Sequence, residues 1–235
     1  MADFARAAGA SRSTFYRHFR SREALLEALA VAPEPGARDR ILAAAVEMVG
    51  AEGLSNLSMD DLADRAGVSR ATLYRVFSGK SALLLGLIEG YSPLEPVSRL
   101  LAERSEDPPE VLMPELARTA YRAVYGAGEN RAGLVRALFF EVSGLRPETE
   151  EAAADTIRGV VGRLAAYLVG QMSQGRLRQM HPLLALQSLV GPVVFHILTR
   201  PLAERVLRLD IEGEAAVTQL AEAWLRAMAT QEEGS

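Results

Sequence analysis

The chain has no cysteine among its 235 residues. That excludes a disulfide scaffold and a thiolate metal site, and it fits a reducing compartment, the cytoplasm. Histidine is scarce as well: His18, His181 and His196 stand far apart, and no HExxH, GxSxG or P-loop spacing occurs. The expectation is therefore no catalytic residue, no metal and no cofactor. Aromatic residues make up 6% of the chain, with a single tryptophan, so the core has to be mainly aliphatic. Alternation of apolar and polar residues, the mark of a half-buried strand, does not persist anywhere. The longest apolar run, Leu183 to Leu198, is broken by Gln187, Ser188, Gly191, Pro192 and His196. It reads as a buried helix rather than a membrane span, and no membrane partner is expected. The N-terminal MADFARAAG lacks the apolar core of a signal peptide.

What is present is helical periodicity cut by breakers, enough for an all-α chain with one large core or two modest ones. Its formal net charge of -4 is uneven: residues 1–90 hold 11 basic and 11 acidic residues, the rest 15 and 19. The acidity thus belongs to the C-terminal part. Between Ser69 and Lys80 there are three basic residues and no acid, and a local cluster is what meets a phosphate backbone.

That cluster lies in the most informative stretch, SMDDLADRAGVSRATLYRVFSGKSALLLGL, residues 58–87. Ser58 is placed to cap a short helix bearing Leu62, Ala63 and Ala66 on one face. Gly67 can end that helix in the left-handed conformation, and Ser69 can cap the next. In this second helix, Arg70 to Val76, Leu73, Val76 and Phe77 turn inward and Arg70, Thr72, Tyr74 and Arg75 turn outward. Two short helices joined by a tight turn are the layout of a helix-turn-helix reader. Arg70, Ala71, Thr72 and Arg75 would face bases, and Ser58, Ser69, Tyr74 and Lys80 would hold phosphates.

At these residues the chain resembles the tetracycline-repressor (TetR/AcrR) family of bacterial transcription regulators, through LADRAGVSRATLYRVFSGKSALL. The resemblance covers about 50 residues, counting the helix from Arg38 that precedes the motif. Val76 stands where the family usually has histidine or tyrosine, and Gly79 where it usually has serine. The resemblance implies a helix-turn-helix head followed by a helical ligand-binding and dimerisation domain. It also implies a ligand-responsive repressor that binds a two-fold symmetric double-stranded DNA operator as a homodimer. Two other readings stay open: a dimeric helical small-molecule-binding protein whose heads no longer read DNA, and a helical enzyme with a fused reader.

Residues 1–29 align without gaps to residues 59–87, with 15 identical positions of 29. The second DNA-binding set would be Ser11, Arg12, Ser13, Thr14, Tyr16, Arg17, His18 and Arg22. This copy lacks the long helix that precedes the motif in the other, which leaves Phe4, Phe15 and Phe19 without a third wall. Three readings stay open: a start that lies upstream, a duplication remnant, or an accessory DNA contact.

The expected organisation is a partial motif copy at 1–30, a linker at 31–37 carrying Pro33, Pro35 and Gly36, a head at 38–90, a regulatory domain at 91–230 and a tail at 231–235. In the regulatory domain helices are expected over 110–125, 131–142, 147–172, 182–198, 202–209 and 214–229, with Pro93 and Pro96 marking a boundary near residue 91. Leu183, Leu186, Leu189, Val190, Val193 and Val194 form one wide stripe, and Leu220, Trp224, Leu225 and Met228 a second; both would serve a four-helix dimer interface. Tyr121, Tyr125, Phe139, Phe140, Tyr167 and Phe195 are the candidate lining of a pocket for an apolar small-molecule effector. His196 reads as a core or interface histidine.

Overall fold

The Gly36 backbone N–H donates to Asp39 Oδ2 at 3.2 Å, and helix α1 (Ala37–Glu52) starts there. The computed structural model describes residues 36–126, 129–143, 147–208 and 211–230, and the regular structure in them is helical throughout. The N-terminal motif copy lies outside the described residues. After α1 come α2 (Met59–Arg65), α3 (Arg70–Val76), α4 (Lys80–Tyr91), α5 (Leu94–Glu103), α6 (Pro109–Tyr125), α7 (Glu129–Ser143), α8 (Pro147–Ser173), α9 (Pro182–Leu202) and α10 (Gly213–Met228).

The inward stripe of α1, Ile41, Leu42, Ala45 and Val49, meets Leu62, Leu73, Phe77, Leu83, Leu84 and Leu87 in one buried cluster. Leu134 and Leu138 of α7 belong to the same cluster, so the head's core is completed by a helix from the C-terminal part. Gly133 of α7 sits directly on α1. A Cβ there would stand 2.7 Å from the Gly50 carbonyl oxygen, so only glycine allows this approach. Arg131 fastens the start of α7 to the end of α4, donating to Tyr91 O at 3.2 Å and to Gly90 O at 3.4 Å.

Helix α5 was not expected, because Pro93 and Pro96 read as breakers. Pro93 is instead its N-cap and Pro96 falls in its first turn, where a missing N–H has no intrahelical partner to lose. The expected short helix at 202–209 is also corrected: α9 runs on through Leu202 into a π-helical turn, Ala203–Leu207.

Helix α9 holds two internal prolines, Pro192 and Pro201. Pro201 cannot donate to Ile197 O, four residues back. The Tyr125 hydroxyl of α6 donates to that oxygen instead, at 2.7 Å. By length and composition the stretch Pro182–Leu207 could cross a membrane, the one such helix among the described residues. In the fold it is built into the bundle through Ala185, Leu186, Leu189, Val193 and Ile197, while Leu184, Phe195 and Leu202 are left exposed. The expectation of a fully buried helix therefore holds for one face only.

The dimer stripes expected from sequence need correction. Trp224 and Met228 belong to the core of the single chain, in one cluster with Leu186 and Leu189, and Trp224 Nε1 donates to Ser188 Oγ at 3.0 Å. The last helix is tied down by Arg122, whose Nε and Nη2 reach the two carboxylate oxygens of Glu214 at 2.9 and 2.6 Å.

Replacing Tyr125 by phenylalanine strands the Ile197 carbonyl, and urea denaturation is expected to show a loss of about 1–3 kcal/mol. His196 is half-buried, and burial holds its pKa below the ordinary value of 6.5, with Glu204 opposing the shift. The unfolded chain therefore takes up the proton first, so stability is full above that value and falls as the pH drops through it. Thermal unfolding should show a smaller acid-side decline in a His196→Asn variant than in the parent chain.

Candidate nucleic-acid interface and adjoining cavity

Ser58 Oγ accepts from Asp61 N at 3.3 Å and so caps α2. The chain then turns at Gly67, with φ of 62°, in the left-handed region that residues with a Cβ enter at a cost. Ser69 Oγ accepts from Thr72 N at 3.1 Å and lies 2.9 Å from Thr72 Oγ1, which fixes the first turn of α3. Leu73 and Phe77 are buried at 0% and 2% exposure, and the Arg38 guanidinium lies over the Phe77 ring, 4.9 Å from its centroid. With one side anchored in this way, the other faces outward.

On that outer side Ser69, Arg70, Ala71, Tyr74 and Arg75 are exposed, as is Lys80 at the start of α4. Thr72 and Ser58 are half-buried. Arg70 forms an ion pair with Asp60 of α2, a partner the sequence reading missed because the two lie on different helices. Lys80 Nζ donates to Ser55 O at 3.4 Å. Among the described residues Tyr74 and Arg75 have no hydrogen-bond or ion-pair partner. The eight expected contact residues thus share the end of the head formed by α2, α3 and the start of α4. The second set, Ser11, Arg12, Ser13, Thr14, Tyr16, Arg17, His18 and Arg22, lies outside the described residues.

Below the head the helices line a partly open cavity of about 440 Å³. Its walls come from the α4–α5 corner (Ile88, Leu94), α6 (Met113, Leu116), α7 (Val135, Leu138), α8 (Val160, Leu164) and α9 (Leu189, Val193). Of the six aromatic residues expected to line a pocket, only Phe139 does so. Tyr121 and Tyr125 stack on each other, 4.9 Å between centroids, with the Arg200 guanidinium 5.3 Å from each ring. Tyr167 donates to Asp107 O at 2.7 Å, and burial pushes its pKa up to about 12. Phe140 and Phe195 are 68% and 70% exposed. The true lining is aliphatic, and aliphatic residues at helical spacing carry no sequence signal that separates a cavity wall from solid core. Among the described residues no group of His, Asp and Glu could hold a metal ion.

A family model described as bacterial regulatory proteins, tetR family, matches residues 1–29 and again residues 41–87. The match covers these two segments, about a third of the chain. Both motif copies are thus TetR-type segments by sequence. The HTH-type transcriptional regulator YvdT of Bacillus subtilis (strain 168) is 37% identical over 54 residues, 23% of this chain and 28% of YvdT. The nucleoid occlusion factor SlmA of Aliivibrio fischeri (strain MJ11) is 35% identical over 123 residues, 50% of this chain and 61% of SlmA. The chain therefore spans less than two thirds of these curated relatives. Among solved structures, the transcriptional regulator FadR of Bacillus subtilis in complex with stearoyl-CoA superposes with a TM-score of 0.64 at 18% identity, covering 81% of this chain and 97% of that one. That likeness establishes a shared fold.

In this TetR-type head the Ser69 cap is the main local restraint on α3. A Ser69→Ala variant is expected to lose about 0.5–2 kcal/mol on chemical denaturation.

Proposed function

We propose that the protein is a transcriptional repressor that acts in the cytoplasm, binds a two-fold symmetric double-stranded DNA operator as a homodimer, and is released by an apolar small molecule. The observation that carries this reading is the outer face of α3: exposed Ala71, Tyr74 and Arg75 beside Arg70 and Lys80, with no acidic residue from Ser69 to Lys80. A helix of this kind fits a major groove, with Arg70, Ala71, Thr72 and Arg75 toward bases. Ser58, Ser69, Tyr74 and Lys80 are placed for phosphates, and the Ser58 hydroxyl, which accepts from Asp61 N, keeps its proton for a phosphate oxygen. The Arg70–Asp60 pair is exposed on both sides; exposed pairs contribute only about 0–1 kcal/mol, so exchanging it for a DNA contact costs little.

Pairing of two chains is supported by the outward face of α9. Leu184, Gly191, Pro192, Phe195 and Leu202 are exposed along it, an apolar and partly small-residue strip that permits close helix approach. Control by a ligand is supported by shared walls: Ile88 and Leu138 belong both to the head's core and to the cavity lining. A molecule that fits the cavity better in one head position than another shifts the equilibrium by that difference in affinity. Arg12, Arg17 and Arg22 of the N-terminal copy would add further contacts if that copy also meets DNA.

Operator binding to the chain's own upstream DNA, followed by fluorescence anisotropy across a salt series, tests the reading. Arg75→Ala should weaken binding by about 1–3 kcal/mol and relax preference at one base position, whereas Lys80→Ala should weaken it evenly and lower the salt slope by about one. Arg17→Ala in the same assay reports on the N-terminal copy. If neither the Arg75 nor the Lys80 variant changes binding to any upstream fragment, the heads do not read DNA. A dimeric small-molecule-binding protein then becomes the better description.

A further inference from the structure

Among the described residues the cavity wall offers nothing to a polar group. Among the described residues Ser92 is the one polar side chain in its wall. Its hydroxyl is already engaged, donating to Ile88 O at 2.5 Å and accepting from Leu94 N at 3.3 Å. A hydroxyl, amide or charge carried inside would lose its water and find no partner. The shape adds a second restriction. The lining follows α9 from Leu186 to Leu198, about 18 Å at the helical rise, so the space is long for its volume of about 440 Å³. Two of its lining residues are exposed, Phe139 on α7 at 42% and Val161 on α8 at 38%, and the other lining residues are buried or half-buried. The most exposed part of the lining thus lies on α7 and α8.

We infer that the cavity takes a single flexible alkyl chain whose one polar group stays in water at the Phe139–Val161 opening while every buried atom is hydrocarbon. The inference rests on the reading of this cavity as the effector site, and it narrows that site from apolar molecules in general to single-headed chain amphiphiles. A ligand with polar groups at both ends is rejected because one end must be buried without a partner. A compact polar-substituted ring system is rejected for the same reason. Affinity rises with chain length until the cavity is full, then stops rising.

The test uses the full-length chain and isothermal titration calorimetry. The probes are straight-chain primary alcohols from hexanol to dodecanol and the α,ω-diols of the same lengths. Binding of the alcohols should tighten about four-fold per added methylene, then level off. Each diol should bind about ten-fold or more weaker than the alcohol of equal length. Val160→Ala, which widens the wall, should move the plateau to longer chains, and Ala120→Phe should move it to shorter ones; if the latter fails to fold by circular dichroism, the former still decides. Diols that bind as well as alcohols, or alcohols whose affinity ignores chain length, overturn the inference. Operator affinity measured on the same samples separates the two readings. Length-dependent binding with no change in operator affinity keeps the chain-amphiphile assignment and removes the effector role from the proposed function.

Discussion

The close seat of α7 on α1, glycine against glycine, is the contact on which the rest of the arrangement depends. With no side chain at 133, the α7 backbone comes within reach of the Gly50 carbonyl, and Leu134 and Leu138 fill the head's core from outside the head. Without that seat the head would have to close its core with α1 to α4 alone. The same helix turns Val135, Leu138 and Phe139 toward the cavity. A packed interior is not continuously deformable, so a change in one wall of α7 has to be taken up by the other.

The cavity is possible because the surrounding helices are fastened at their ends and corners. Arg131 holds α7 to the end of α4, the Ser92 hydroxyl holds the α4–α5 corner, and Arg122 holds α10 to α6. Tyr125 shows how the fold absorbs an irregular helix: it supplies the donor that Pro201 cannot. These polar contacts lie at helix ends and corners. The wall of the cavity is left almost entirely to aliphatic side chains. An apolar void can persist there because, among the described residues, no unpaired polar side chain lines it.

The end of the head formed by α2 and α3 was legible in the sequence because its signals are local. Ser58, Gly67 and Ser69 act on residues two to four positions away, and the predicted span of α3, 70–76, agrees with the observed one. Helix α5 was hidden because a proline reads the same in a first turn as in a breaker, and only the preceding geometry separates them. The cavity lining was hidden for a related reason. Tyr125 and Tyr167 look like pocket aromatics in sequence, yet each spends its hydroxyl on a backbone carbonyl of another element.

The sequence alone determined the TetR-type character of the two motif segments, the all-α class, the duplicated motif and the outward basic set of α3, since each follows from spacings of a few residues or from direct alignment. Tertiary structure decided the rest. It placed Trp224 and Met228 in the core of the single chain, paired Arg70 with Asp60, and left Phe139 alone among the expected aromatics in the cavity wall. Those outcomes depend on how helices distant in the chain cross. Helical periodicity fixes which face of a helix is apolar, and not what that face will meet.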